Sequence, residues 1–160
     1  MILPFNEMPA NSRIWIYQSD RKLNDSELDQ IKLKLTDFLK NWTAHGDDLK
    51  SSFQIRYDRF IIIALNEKSS KASGCSIDAC VHFIQQIEKD YNISLLDKMN
   101  VAFKQGEYVS YKSIVEFKSL IKNNSVSKNT IVFNNLVLDI GDYKNNWEVP
   151  ACKSWHSRFF

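Results

Sequence analysis

No G-x-x-x-x-G-K-[ST] run and no G-x-G-x-x-G turn occurs anywhere in the 160-residue chain. A phosphate cradle of backbone amides closed by a lysine cannot form without the first, nor a dinucleotide turn without the second, so Walker-type ATP hydrolysis and Rossmann-type binding are excluded. Cysteine is scarce and odd in number: Cys75, Cys80 and Cys152 are the only three. The opening MILPFNEMPANSR lacks the basic start and long apolar run of an export signal. Reduced thiols in a cytoplasmic protein are therefore the expectation, and not a disulfide framework. The C-x4-C spacing of Cys75 and Cys80 is not the C-x2-C knuckle of a structural zinc site, and no metal or other cofactor is expected.

Long apolar runs are missing as well. The longest, FIIIAL at residues 60–65, is far too short to cross a bilayer, and no membrane association is expected. An excess of one charge is also absent, the formal net charge being +2, which gives no bulk electrostatic case for nucleic acid, an anionic membrane or an acidic partner. Binding of that kind needs a local patch. Arg13, Arg56, Arg59 and the lysines of residues 105–160, with Tyr57 or Tyr108 as stacking partners, offer such a patch, but with acids elsewhere in the same regions the expectation is a solvated mixed-charge surface and no nucleic acid.

What is present is the composition of a globular protein, 44% hydrophobic and 25% charged, long enough for one core, and a single domain over residues 1–160 is the expectation. RIWIYQ at 13–18 alternates β-favouring side chains and reads as a strand. Asn24 with Glu27 has capping-box spacing, and Leu23 with Leu28 that of a hydrophobic staple. The helix they open carries Leu28, Ile31, Leu35, Phe38, Leu39 and Trp42 on one stripe. FQIRY and FIIIAL follow as strands joined by a tight turn near Asp58-Arg59, the second apolar throughout as a central strand would be. SIDACVHFIQQIEKDY returns to helical period; NVAFKQ and YVSYK flank a turn at Gly106-Glu107. Ser113 and Glu116 open a short helix, TIVFNNLV reads as a last strand, and the rest is turn-like with Tyr143, Trp147, Trp155, Phe159 and Phe160 as anchors. The predicted fold is α+β: a ferredoxin-like βαββαβ core over residues 12–104, then a β-α-β extension and a docked aromatic tail over 105–160.

In that topology the loop after the first helix and the loop before the second lie at the same end of the sheet. His45-Gly46 and Ser73-Gly74-Cys75-Ser76 should therefore adjoin. Gly74 would supply backbone angles other residues avoid, and Ser73 or Ser76 would cap the second helix. A helix start presents unpaired amides and a partial positive charge, so His45, Gly46, Ser73, Gly74 and Ser76 are candidates for holding a small anionic ligand. Cys75 and His45 are the catalytic candidates, as thiol nucleophile and base. The plain account is structural: Cys75 a small buried side chain, His45 bonded to the end of the first helix, Gly46 the left-handed residue that stops it, and Asp78 a first-turn acid. His82 reads as solvated. The leading expectation is a binding or interaction module for an undetermined ligand or protein, and the rival is a cysteine-dependent enzyme. Open ferredoxin-like sheets raise homodimerisation by analogy.

WTAHGDDLKSSFQI, FIIIALNE followed by SGCSID, and TIVFNNLV with NWEVP and SW downstream are similar to a family of small uncharacterised bacterial proteins that often carry the label "ABC transporter ATPase". The resemblance covers most of the chain and implies no particular chemistry. The label itself requires the Walker lysine that this sequence lacks.

Overall fold

β1 (Arg13–Gln18) and α1 (Asp25–Lys40) form as their local signals require. Asn24 Oδ1 accepts from Glu27 N–H at 2.8 Å and Glu27 Oε1 accepts from Asn24 N–H at 3.0 Å, which completes the capping box. Then come a minimal hairpin of β2 (Thr43–Ala44) and β3 (Asp47–Asp48), a longer hairpin of β4 (Lys50–Arg56) and β5 (Phe60–Asn66), and α2 (Gly74–Tyr91). The computed structural model describes all 160 residues and is a mixed α+β fold with three antiparallel sheets. No helix is long and apolar enough to cross a membrane.

The chain divides into two compact units, Met1–Leu96 with Leu138–Gly141, and Asp97–Val137 with Asp142–Phe160. The boundary thus falls after Leu96 and not after residue 104. In the first unit the sheet order is β1-β5-β4, so β5 is the central strand. Its residues 60–65 are all fully buried, as their uniform apolarity predicts. Ile61, Ile63 and Leu65 meet Leu28, Ile31, Leu35 and Leu39 of α1 and Cys80, Ile84 and Ile87 of α2 in one cluster.

The sheet has three strands where a ferredoxin-like core has four. NVAFKQ, expected as the fourth, does not join it. The edge of β1 beside Arg13 and Ile14 carries the main chain of Leu138–Ile140 instead: Ile14 N–H donates to Leu138 O at 3.2 Å and Ile140 N–H to Ser12 O at 3.0 Å.

In the second unit β6 (Asn100–Gln105) pairs with β7 (Tyr108–Ser113), α3 spans Ile114–Lys122, and β8 (Ile131–Phe133), α4 (Ile140–Asn146, all but its first two residues in this unit) and β9 (Glu148–Pro150) complete the chain's regular elements before two 3-10 helices. The sheet order is β7-β6-β8-β9. β6 stays here because its hairpin partner is two residues away in sequence and its apolar Val101 and Phe103 bury with Phe117, Val126 and Val132. TIVFNNLV contributes only three residues of strand, since Asn134 Oδ1 accepts from Leu136 N–H and turns the chain. The region after Asp139 is more ordered than a turn-like tail. β9 pairs with β8, and Trp147 is buried with its indole N–H on Asn135 Oδ1 at 2.9 Å. Phe159 and Phe160 lie against Phe117.

Candidate functional site

The end of α1 and the start of α2 bound a cleft of the first unit. α1 stops at Lys40 because Asn41 caps it: its main-chain N–H reaches Phe38 O and Leu39 O, and its side-chain amide donates to Asp37 O at 2.9 Å. Neither His45 nor Gly46 takes part, contrary to the plain expectation for both. They form the two-residue turn between β2 and β3, with φ of 52° and 84°. Both residues of such a hairpin turn need positive φ, which histidine tolerates better than most side chains and glycine adopts freely.

α2 begins at Gly74, two residues before the expected Ser76, with Ser73 as its cap. Ser73 Oγ accepts from Ser76 N–H at 3.1 Å, and Ser76 Oγ accepts from Ser73 N–H at 2.6 Å. Gly74 is therefore the first helical residue. It has no positive φ, and a Cβ placed on it would meet nothing within 4 Å. The expectation that Gly74 supplies a special backbone conformation is overturned, and Asp78 moves out of the first turn.

Cys75 is exposed, so the account of it as a buried filler is also overturned; Cys80 is the buried thiol. Burial pushes the Cys80 pKa up to about 11, slightly offset by the Tyr17 hydroxyl 3.8 Å away. Tyr17 is itself raised, by burial and then by Cys80. His82 is exposed, as expected.

Across the end of the unit lies an open cleft of about 630 Å³. One wall is Asp37, Phe38, Asn41 and Trp42 with Thr43 and His45; the other is Ser73, Cys75, Ser76 and Ala79. Of the residues expected at a site, His45, Ser73, Cys75 and Ser76 line it, while Gly46 and Gly74 stand in the same turns outside its lining. Asp37, Phe38, Asn41, Trp42 and Thr43 were not expected there.

The walls are tied together. Trp42 Nε1–H donates to Ser76 O at 2.8 Å in a buried bond, and the indole meets Trp15 edge-on at 6.1 Å. Phe38, half-buried, stacks on Phe83 at 4.5 Å and gives the cleft an aromatic side. The two walls have opposite polarity. The capping box engages the amides of Ser73 and Ser76, whereas those of Gly74 and Cys75, in the first turn, have no intrahelical acceptor and sit at the positive end of α2. The facing wall is the negative end of α1 and adds the exposed carboxylate of Asp37. No hydrogen bond joins Cys75 to His45, although both line the cleft. No three His, Cys, Asp or Glu side chains come together closely enough to hold a metal ion. Comparison of the chain with protein families, with curated proteins and with solved structures finds no match.

Proposed function

We propose that the protein is a cytoplasmic binding module whose cleft takes a small ligand with an anionic head. The head would sit on the amides of Gly74 and Cys75, with His45 as side-chain donor; the Ser73 hydroxyl is taken up in the capping box, where it donates to Ser76 Oγ at 3.1 Å. Asp37 on the facing wall would receive a donor group of the same ligand, and Phe38 its apolar body. The observation that carries this reading is the meeting of oppositely poled helix ends across a cleft already tied by the Trp42–Ser76 bond. Such a preformed site binds without ordering its own walls. A protein partner presenting a carboxylate in an extended segment would use the same contacts.

We further infer a ferredoxin-like origin for the β1-α1-β4-β5-α2 unit, with Leu138–Ile140 standing where the fourth strand would run. Membership of the bacterial family that the sequence resembles adds no chemistry to the site.

The test is an amide and indole NMR titration with inorganic phosphate, then with acetate and glycine at millimolar concentration. The Gly74, Cys75 and Trp42 indole resonances should move together and saturate, and Asp37→Asn should weaken glycine more than acetate. If the resonances stay in place with all three, the binding reading is wrong. Iodoacetamide decides against the rival enzyme: alkylation of Cys75 no faster than that of the exposed Cys152 leaves no activated thiol for His45 to serve.

A further inference from the structure

Charge is unevenly divided along the chain. Met1–Leu96 with Leu138–Gly141 carries twelve Lys and Arg against fourteen Asp and Glu, whereas Asp97–Val137 with Asp142–Phe160 carries nine against five. Within the second unit the imbalance is concentrated. Residues 117–137 and 149–160 hold Lys118, Lys122, Lys128, Lys153 and Arg158 and no acidic side chain at all.

These two segments lie against each other. Phe159 and Phe160 meet the buried Phe117 at 6.2 and 6.3 Å. Lys118 Nζ sits 5.4 Å from the centre of the Phe159 ring, and the Arg158 guanidinium 5.7 Å from that of Trp155. Cys152 N–H donates to Lys128 O at 2.9 Å. All five cations are exposed. None is engaged by a carboxylate, unlike Lys104 with Glu148 or Lys112 with Glu116 in the same unit. Beside Lys128 is a pocket of about 210 Å³ lined also by Cys152, Ser157 and Phe160.

We propose that this face of the second unit binds single-stranded nucleic acid. The five cations follow the phosphates. One unstacked nucleotide enters the pocket, its base on the Phe160 ring and its phosphate held by Lys128 Nζ and the Ser157 hydroxyl. Flat aromatic surface interleaved with exposed cations is what sequence-tolerant strand binding uses, and a concave pocket demands a base already out of its duplex. A membrane fits the face less well. Trp155 and Phe159 are half-buried against their own unit, and Phe160 is 37% exposed, so the rings lie flush and do not protrude for insertion. The proposal is independent of the α1–α2 cleft.

Fluorescence anisotropy of a labelled oligothymidylate with the full-length protein tests it. Binding should saturate and, if the five cations meet phosphates at about 0.7 counterions each, weaken about 130-fold between about 50 and 200 mM salt. Lys118→Glu with Lys128→Glu should cost at least about tenfold and flatten the salt slope by about 1.4. Phe160→Ala should cost about tenfold with the salt slope unchanged. These positions are exposed, and unchanged melting curves will show that the variants fold. Lys68→Glu with Lys71→Glu, exposed in the first unit, is the control. The proposal is overturned by any of three results: no saturable binding at low salt, equal losses in the control, or sedimentation with phosphatidylserine vesicles by a protein that ignores the oligonucleotide.

Discussion

Acidification should unfasten the C-terminal 3-10 helix through His156. This histidine is 1% exposed, stacks on Trp155 at 3.9 Å and faces Phe117. Its Nδ1 lies 2.5 Å from Ser154 Oγ, which also accepts from the His156 main-chain N–H. The direction of that bond follows the ring's tautomer; a protonated ring can only donate at Nδ1, with the serine proton on Ala151 O at 3.4 Å, so the cost of protonation lies in burying the charge. Burial first, then the charge of Arg158, lowers the His156 pKa from 6.5 to about 4. In the unfolded chain the ring takes up its proton near 6.5, so between there and about pH 4 the unfolded state binds a proton that the folded state refuses. Stability is whole above the upper value, falls as the pH drops through that window, and loses nothing further to this group below it. The loss works out at about 2 kcal/mol at pH 5 and levels off at about 3 kcal/mol. Urea unfolding followed by tryptophan fluorescence at pH 7.5 and 5 should show it in the wild type and most of it missing in His156→Gln. Subtracting the variant also removes what the exposed His45 and His82 contribute to both. Equal pH dependence in the two proteins would refute the reasoning.

Ile63, fully buried between Trp15 and Phe53 on the neighbouring strands, should cost about 2–5 kcal/mol when cut to alanine. A change below about 0.5 kcal/mol, the surface range, would mean that β5 is not the centre of the sheet. The two glycines of the candidate site should respond in opposite directions. Gly74→Ala should raise stability by about 0.4–1 kcal/mol, because the position is helical and open, while Gly46→Ala should lower it by about 1–2 kcal/mol, because φ there is 84°. Thermal melts of the pair decide it, and a loss on Gly74→Ala would restore a special backbone role for that residue.

β1, α1, β4, β5 and α2 of the first unit were legible because each rests on a signal a few residues long, whereas the β2–β3 hairpin was not. Asn24 with Glu27 starts α1, and the unbroken FIIIAL run asks for cover on both faces of β5. Pairing is a different matter. NVAFKQ reads as a strand in either sheet, and nothing in its alternation names the partner; a hairpin neighbour two residues away and the nearby Phe117 decided for β7 and the second sheet. The tail held a signal that went unused. Ile140, Tyr143 and Trp147, all buried, stand at i, i+3 and i+7, the spacing of one helical face, yet aromatic residues near a chain's end invite attention as separate anchors. Asn134-Asn135 likewise announced the end of β8, since an asparagine side chain that bonds the amide two residues on competes with the sheet.

At the candidate site the meeting of the two turns was legible, because alternation of strands and helices puts both loops at one end. The roles inside the turns were not, and the reason lies in what glycine means. Glycine signals a backbone demand only where φ is positive, and that holds at Gly46 but not at Gly74, while His45, read for its imidazole, carries the left-handed conformation too. Phe38 and Trp42 suffered the opposite error. A residue on an amphipathic stripe is assigned to the core, yet where a helix ends the stripe runs out of neighbours, and its last members become the wall of whatever opens there. Asp37, off the stripe and one residue before Phe38, then faces the cleft from the negative end of α1. The polarity of the cleft is thus a consequence of where α1 stops. That stop is set by Asn41, whose side-chain bond to Asp37 O makes it the residue on which the placing of the acidic wall depends.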